Sequence, residues 1–308
     1  MGSAYAETGY DVIDLGSNCS LLQNNTAPVT NPTNTGGGGT TNAYPPNIPD
    51  TTTTADTTIN PCVAARNAAA GADTLYNNSA VKAGIAKLAN LQTDTSEQSF
   101  AMYQKLKYAS DDNGAPLVPA YDSVSAIQTT NQSHEVTTDY TSYPASSTTV
   151  FVGTLHTHTG SALSAPSAVD VKSIIQSEID NPGTQTGFVL AVSGDVYALQ
   201  VTDMAKAVGM KSTITNSIDT IKHGWIESSK IGQAFQDAKD YYKELYKNDP
   251  NKDNLAYENA QSAVLCDTGV TLTKQDATGD FQPIRQTVIP VTDGKGKTTI
   301  TYGDAGCD

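Results

Sequence analysis

Two runs of sequence, VGTLHTH at 152–158 and SAPSAVD at 164–170, predict a buried strand that passes through a loop into a helix. The first run is rich in β-branched and apolar residues, as buried strands are. Alternate residues of a strand point to the same side, so His156 and His158 are expected to face one point. The second run contains a serine N-cap signal, and a helix that begins there places Asp170 in its first turn.

Outward from this centre, strand and helix patterns predict an α+β fold, α/β/α-like, around one central mixed sheet. Strands are predicted at 98–106, within 119–136, and at 148–156, 188–192, 196–201, 270–272, 281–290 and 298–302. Helices are predicted to start at Asn60-Pro61, Ser79 and Ser167, and a helical segment is predicted over 203–263. A hairpin turn is predicted at Ser193-Gly194-Asp195.

The first 58 residues are predicted to be a disordered, low-complexity N-terminal arm. They hold runs of threonine and asparagine and the glycines 36–39, with too few apolar residues to repay the entropy cost of folding. The apolar patch at 10–15 is interpreted as a frayed terminus or as a docking peptide for a protein partner. The remaining chain divides into a core at 59–205 and, at 206–308, a helical segment and C-terminal strands that pack on it.

The charge of the chain limits its partners. The 308 residues carry a formal net charge of −14, and no basic patch offsets it. The phosphate backbone of nucleic acid would be repelled, so we expect no nucleic-acid partner. No apolar run reaches membrane-spanning length, so we expect no membrane insertion.

The cysteines and the start of the sequence bear on location. Cys19, Cys62, Cys266 and Cys307 lack the spacing of a zinc knuckle, and they permit free thiols or two disulfides in any of three connectivities. The first residues lack the basic and apolar regions of a signal peptide, and Asn18 does not suit a lipidation site at Cys19. We therefore expect an extracytoplasmic, secreted or particle-associated protein, with its leader outside this sequence or with transport by a larger apparatus.

The two histidines and Asp170 form a candidate three-ligand set for Zn²⁺. Three protein ligands leave the fourth position to a water molecule, whose pKa falls to about 7 on zinc. A carboxylate must then accept the proton of that water. Ser167 is placed to donate a hydrogen bond to the oxyanion that forms on an attacked carbonyl, although the Ser-x-x-Asp pair also fits a simple helix capping box.

His-x-His followed by Ser-x-x-Asp, with a glutamate upstream, resembles the motif of the JAMM (MPN+/JAB) metalloproteases, which cleave amide or isopeptide bonds with one zinc ion. The resemblance implies a cytidine-deaminase-like MPN/JAB fold and a catalytic core. By the same match, His156, His158 and Asp170 are the zinc ligands. Glu97, directly before a predicted strand, is the general base, and Ser167 assists the oxyanion.

Several assignments around the motif have rivals. Glu135 competes with Glu97 for the role of general base, and its neighbour His134 is interpreted as a loop residue. His223 is interpreted as the cap of a helix end. The histidine pair also resembles the opening of PHP-type phosphoesterases and amidohydrolases, but those need several further histidines downstream and only His223 follows.

The match departs from the family in its loop. The family usually has seven residues between the second histidine and the serine, whereas Thr159 to Pro166 make eight, and Thr159 stands where a proline is common. A loop can accommodate one extra residue without moving the ligands. The extra residue is also consistent with a divergent branch of the family that has altered activity. The surroundings resemble the divergent JAB-type domains of bacterial polymorphic toxins and of phage tail or injection machinery.

The sequence therefore predicts a zinc-dependent peptidase or isopeptidase of a bacterial secreted, injected or phage-tail system. Its expected substrate is a peptide or an isopeptide-linked protein, with peptidoglycan peptides and self-processing also open. The alternative is an inactive MPN-fold structural or interaction subunit that is anchored by its N-terminal arm.

Overall fold

A computed structural model describes part of the chain. The described residues are 11–12, 60–89, 96–107, 118–129, 136, 138–139, 149–159, 164–183, 186–266, 268–304 and 307. The predicted disordered arm, apart from two residues, lies outside them, and so do Glu135, the rival general base, and its neighbour His134.

Thirteen strands and six helices lie in the described part of the chain. In order they are β1 (Asp11–Val12), α1 (Pro61–Tyr76), α2 (Ser79–Ala89), β2 (Gln98–Lys107), β3 (Val118–Val124), β4 (Gln128–Thr129), β5 (Thr149–His158), α3 (Ala168–Asp180), β6 (Thr186–Ala191), β7 (Val196–Val201), α4 (Met204–Asn216), β8 (Ile218–Asp219), β9 (Gly224–Trp225), α5 (Lys230–Leu245), α6 (Lys252–Leu265), β10 (Val270–Gln275), β11 (Phe281–Ile284), β12 (Gln286–Thr292) and β13 (Thr298–Asp304).

An eight-stranded mixed sheet forms the centre of the fold. Its order is β11-β10-β7-β6-β5-β2-β3, and β4 also pairs with β2. Among the described strands of this sheet, β5 and β6 pair in parallel and the others are antiparallel, with α3 as the crossover between β5 and β6. The parallel pairing starts at Gly153, where a Cβ atom would lie only 2.0 Å from the carbonyl oxygen of Thr186. Two smaller sheets have the orders β1-β12-β13 and β8-β9.

Helices cover both faces of the central sheet. On one face α1 and α2 pack on a core that includes Leu88, Phe100 and Phe188. On the other face α3 to α6 pack on a core that includes Val189 and Tyr197. Because side chains alternate along β6 and β7, these strands contribute to both cores. The predicted α+β class with a central mixed sheet is confirmed.

Local signals explain most element boundaries. Asn60 caps α1 by accepting the backbone N–H of Cys62 at 2.9 Å, as its position before a proline predicts. The prediction that Ser79 caps α2 is wrong by one residue. The side chain of Asn78 accepts the N–H of Ala80, because an asparagine next to the first turn provides the acceptor.

The helical segment predicted at 203–263 is three helices and a short hairpin rather than one run. The hairpin of β8 and β9 separates α4 from α5. His223 lies in the turn of this hairpin with φ 56°, so its prediction as a helix-end cap is wrong.

The strand predicted at 281–290 is divided between two sheets. The hydroxyl of Ser262 donates to the carbonyl oxygen of Ile284 at 2.5 Å and accepts the N–H of Gln286 at 3.2 Å. This α6 side chain satisfies the backbone groups where β11 leaves the central sheet and β12 begins the smaller one. The predicted 193–195 hairpin, in contrast, is confirmed between β6 and β7.

A disulfide joins the start of α1 to the end of the chain. Cys62 bonds to Cys307 across a sequence separation of 245 residues, and Cys266 is also disulfide-bonded. Within the described ranges, every helix is too short or too polar to cross a membrane.

Candidate metal centre

The two motif histidines lie at the end of β5, in the middle of the central sheet. His156 is in register with Val189 on β6, and His158 is the last residue of the strand. Their rings lie 5.2 Å apart between centroids. Thr157, between them, accepts the backbone N–H of Gln98 at 3.1 Å, which fixes this end of β5 to the start of β2.

A capping box at the start of α3 positions Asp170. The Ser167 hydroxyl accepts the N–H of Asp170 at 3.3 Å, and Asp170 Oδ2 accepts the N–H of Ser167 at 2.7 Å. The capping-box interpretation of the Ser-x-x-Asp pair is therefore confirmed, and Asp170 lies beside the two histidines from this position. Asp170 Oδ1 lies 3.1 Å from His156 Nε2, and Oδ2 lies 3.4 Å from His158 Nε2.

The three side chains converge closely enough to share one metal ion. Each offers one ligand atom, and these atoms all lie within 4.8 Å of one another. Donor atoms bound to one tetrahedral zinc ion lie about 3.3 Å apart at bond lengths of about 2.0–2.1 Å, so side-chain adjustments would bring the three onto the ion. Two imidazoles and a carboxylate are a donor set that zinc accepts. The three predicted ligands can hold a metal ion, and their chemistry leaves its identity open.

The imidazole of His156 and the carboxylate of Asp170 shift each other's pKa. Burial disfavours the charged form of His156, but the carboxylate of Asp170, a hydrogen bond to it and the charge of Glu97 together raise the pKa of His156. Burial also disfavours the Asp170 carboxylate, yet His156 and His158 hold the pKa of Asp170 well below its usual range. Asp170 is therefore ionised, as a metal ligand must be.

Glu97 and Ser167 line the same cleft as the three candidate ligands. Glu97 lies directly before β2, with only 6% of its surface exposed. Its charge acts on His156, and its backbone carbonyl accepts the Thr129 hydroxyl at 3.3 Å. The structure thus brings together all five residues that the sequence singled out.

The cleft has a volume of about 680 Å³ and also contains residues that the motif did not indicate. Tyr257 of α6 and Ile221 of the β8–β9 turn are part of its lining. Burial, and secondarily the charge of Asp170, raises the pKa of Tyr257, so its phenol stays neutral. Both residues lie more than fifty positions after the motif, and no local pattern links them to it.

Comparison with known proteins returned no matching family model, no matching curated protein and no matching solved structure.

Proposed function

We propose that the protein is a zinc-dependent hydrolase that cleaves an amide or isopeptide bond. The observation that carries the proposal is the convergence of His156, His158 and Asp170, whose ligand atoms lie within 4.8 Å of one another, in a cleft that also contains Glu97 and Ser167. His156, His158 and Asp170 would hold the zinc ion, which would supply a Lewis acid for the scissile carbonyl and a bound water molecule with a pKa of about 7.

Each remaining residue has a defined part in this chemistry. Glu97 accepts the proton of the attacking water and passes it to the leaving amine. This proton transfer requires a carboxylate beside the metal centre, and Glu97 is buried and near His156. The Ser167 hydroxyl already accepts the N–H of Asp170, and its own proton remains to stabilise the oxyanion of the substrate.

The finer fold assignment is also a proposal. We propose a cytidine-deaminase-like MPN/JAB fold, in which helices precede a glutamate-led strand and the histidine strand pairs in parallel with the strand after the next helix. The order α1, α2, β2, β5, α3, β6 and the β5–β6 pairing support it.

We further propose an extracytoplasmic or secreted protein that acts on a peptide or an isopeptide-linked protein. The support is the Cys62–Cys307 disulfide, since disulfides persist in oxidising compartments.

Three proteins test the activity side by side: wild type, Glu97→Gln and His156→Ala. Each is purified, its zinc content is measured by mass spectrometry, and it is incubated with a pooled peptide mixture that is analysed for cleavage. Wild type should hold about one zinc and cleave peptides. Glu97→Gln should keep zinc and lose more than about 100-fold in rate, and His156→Ala should lose both. Equal cleavage by all three variants would refute the proposal. Zinc without cleavage in the wild type would favour the inactive structural subunit.

A further inference from the structure

One part of the cleft is apolar and takes no part in the chemistry above. Val169 of α3 and Tyr257 of α6 line it with partly buried side chains, and the buried Ala165, Ile174 and Val189 form the core behind them. Val169 directly precedes the candidate ligand Asp170, and the charge of Asp170 acts on Tyr257. The apolar part of the cleft therefore lies beside the candidate metal ligands.

An exposed isoleucine stands on the lining of this cleft. Ile221 has 88% of its surface exposed, the largest value among the exposed large hydrophobic residues of the described chain. Its turn is fixed, because the Asp219 carboxylate accepts the N–H groups of Ile221 at 2.9 Å and Lys222 at 3.0 Å. A single exposed apolar side chain is ordinary on a protein surface, so it is the position of Ile221 on the lining of the cleft that makes it available to a ligand.

Tyr257 is a fixed wall of the same region. Its ring packs edge-on against Phe235, with centroids 5.1 Å apart. The next residue, Glu258, accepts hydrogen bonds from Tyr197 at 2.7 Å and from Lys274 at 2.9 Å, which holds this turn of α6 in place. The wall is thus formed before any ligand arrives, as in most small-ligand sites.

We propose that Val169, Ile221 and Tyr257 form a subsite for a bulky apolar side chain of the substrate. This apolar subsite rests on the proposed function, because it receives the residue next to the bond that the metal centre cleaves. Neighbouring residues of a peptide are only about 3.8 Å apart, so a side chain beside the scissile amide can reach Val169, which directly precedes the candidate ligand Asp170. The preferred substrate is a peptide with leucine, isoleucine, methionine or phenylalanine at that position. Glycine or alanine there leaves the subsite unfilled.

Two small probes with the same metal-binding group test the subsite. N-acetyl-leucine hydroxamate and N-acetyl-glycine hydroxamate are titrated into the zinc-loaded full chain by calorimetry. Burial of a leucine side chain should make the first probe bind at least about tenfold more tightly. Ile221→Ser should reduce this preference to about threefold or less without changing the affinity for the glycine probe. Val208→Ser is the matched control, since Val208 is 51% exposed on α4 and is not part of the cleft lining.

The outcomes separate this inference from the proposed function. Equal affinity of the two probes for the wild type overturns the apolar subsite and leaves the metal centre intact. An unchanged preference in Ile221→Ser overturns the subsite as assigned here. If the protein binds no zinc and neither probe binds, the proposed function itself is overturned.

Discussion

Zinc is expected to stabilise the protein against heat, and His158→Ala is expected to remove most of this effect. At a free zinc concentration of 100 times Kd, a ligand that binds only the folded state adds about 2.7 kcal/mol. For a domain of this size each kcal/mol corresponds to about 2–4 °C, so Tm should rise by about 5–11 °C. In the variant only His156 and Asp170 remain, with donor atoms 3.1 Å apart.

Mutation of residues that only hydrogen-bond to metal ligands weakens metal binding by up to about 100-fold. Loss of a direct ligand such as His158 should therefore weaken zinc binding by at least that factor. At the same zinc concentration the variant is then close to its own Kd, where the added stability is about 0.4 kcal/mol. That amounts to about 1–2 °C in Tm. Each protein is compared with its own chelator-treated sample, because removal of the buried His158 side chain also lowers the stability without metal.

Scanning calorimetry with zinc or with a chelator provides the measurement. His223→Asn serves as the control: it removes an imidazole from the same cleft, and asparagine tolerates the left-handed backbone at this position. This control should keep the full rise. A rise in His158→Ala equal to that of the wild type would mean that zinc binds elsewhere, and no rise in the wild type would refute the site.

Three further changes probe other parts of the fold. Hydrogen bonds, chiefly from the Thr278 side chain and also from backbone groups of the same turn, lower the pKa of Asp276 to about 2. The stability that these bonds add is therefore present above about pH 4 and is lost as pH falls through about 2. An NMR titration of the Asp276 carboxyl should show a midpoint of about 2, and a midpoint near 3.9 would contradict this prediction. Gly153→Ala should lower the free energy of unfolding, measured in urea, by more than about 4 kcal/mol, because the new Cβ would collide with the carbonyl oxygen of Thr186. Gly209→Ala is the control on an open helix face and should raise the same quantity by about 0.5–1 kcal/mol. Lys274→Met should lower the free energy of unfolding by about 3 kcal/mol, because it leaves the buried Glu258 carboxylate without its cation. Adding Glu258→Gln to this variant should restore most of the lost stability. If the stability losses of the two single variants simply add in the double variant, the proposed interaction between Lys274 and Glu258 is refuted.

Features of the fold that depend on neighbouring residues were predictable from the sequence. The cap at Asn60, the start of α3 at Ala168 after Ser167 and the hairpin between β6 and β7 each follow from a few adjacent side chains. The cluster of His156 with Asp170 was predictable for the same reason, because a short loop joins their elements. The family fold, zinc and hydrolysis remain predictions.

Features that depend on distant contacts were not predictable. The division of the predicted 281–290 strand follows from the Ser262 hydroxyl, about twenty residues away, which no local pattern reveals. The left-handed backbone of His223 is uncommon for a residue other than glycine, and its hairpin is only four paired residues long. Tyr257 reaches the cleft because α6 packs over the sheet, so its place depends on the whole second layer.

The Cys62–Cys307 bond closes almost all of the described fold into a covalent ring. A single cut in any loop within the ring leaves both fragments joined. Passage through a channel that admits one extended strand of polypeptide would be blocked while the bond is intact, since the ring would have to enter as two strands abreast. Any transport through such a channel would therefore require Cys62 and Cys307 to be reduced, with the ring closed afterwards.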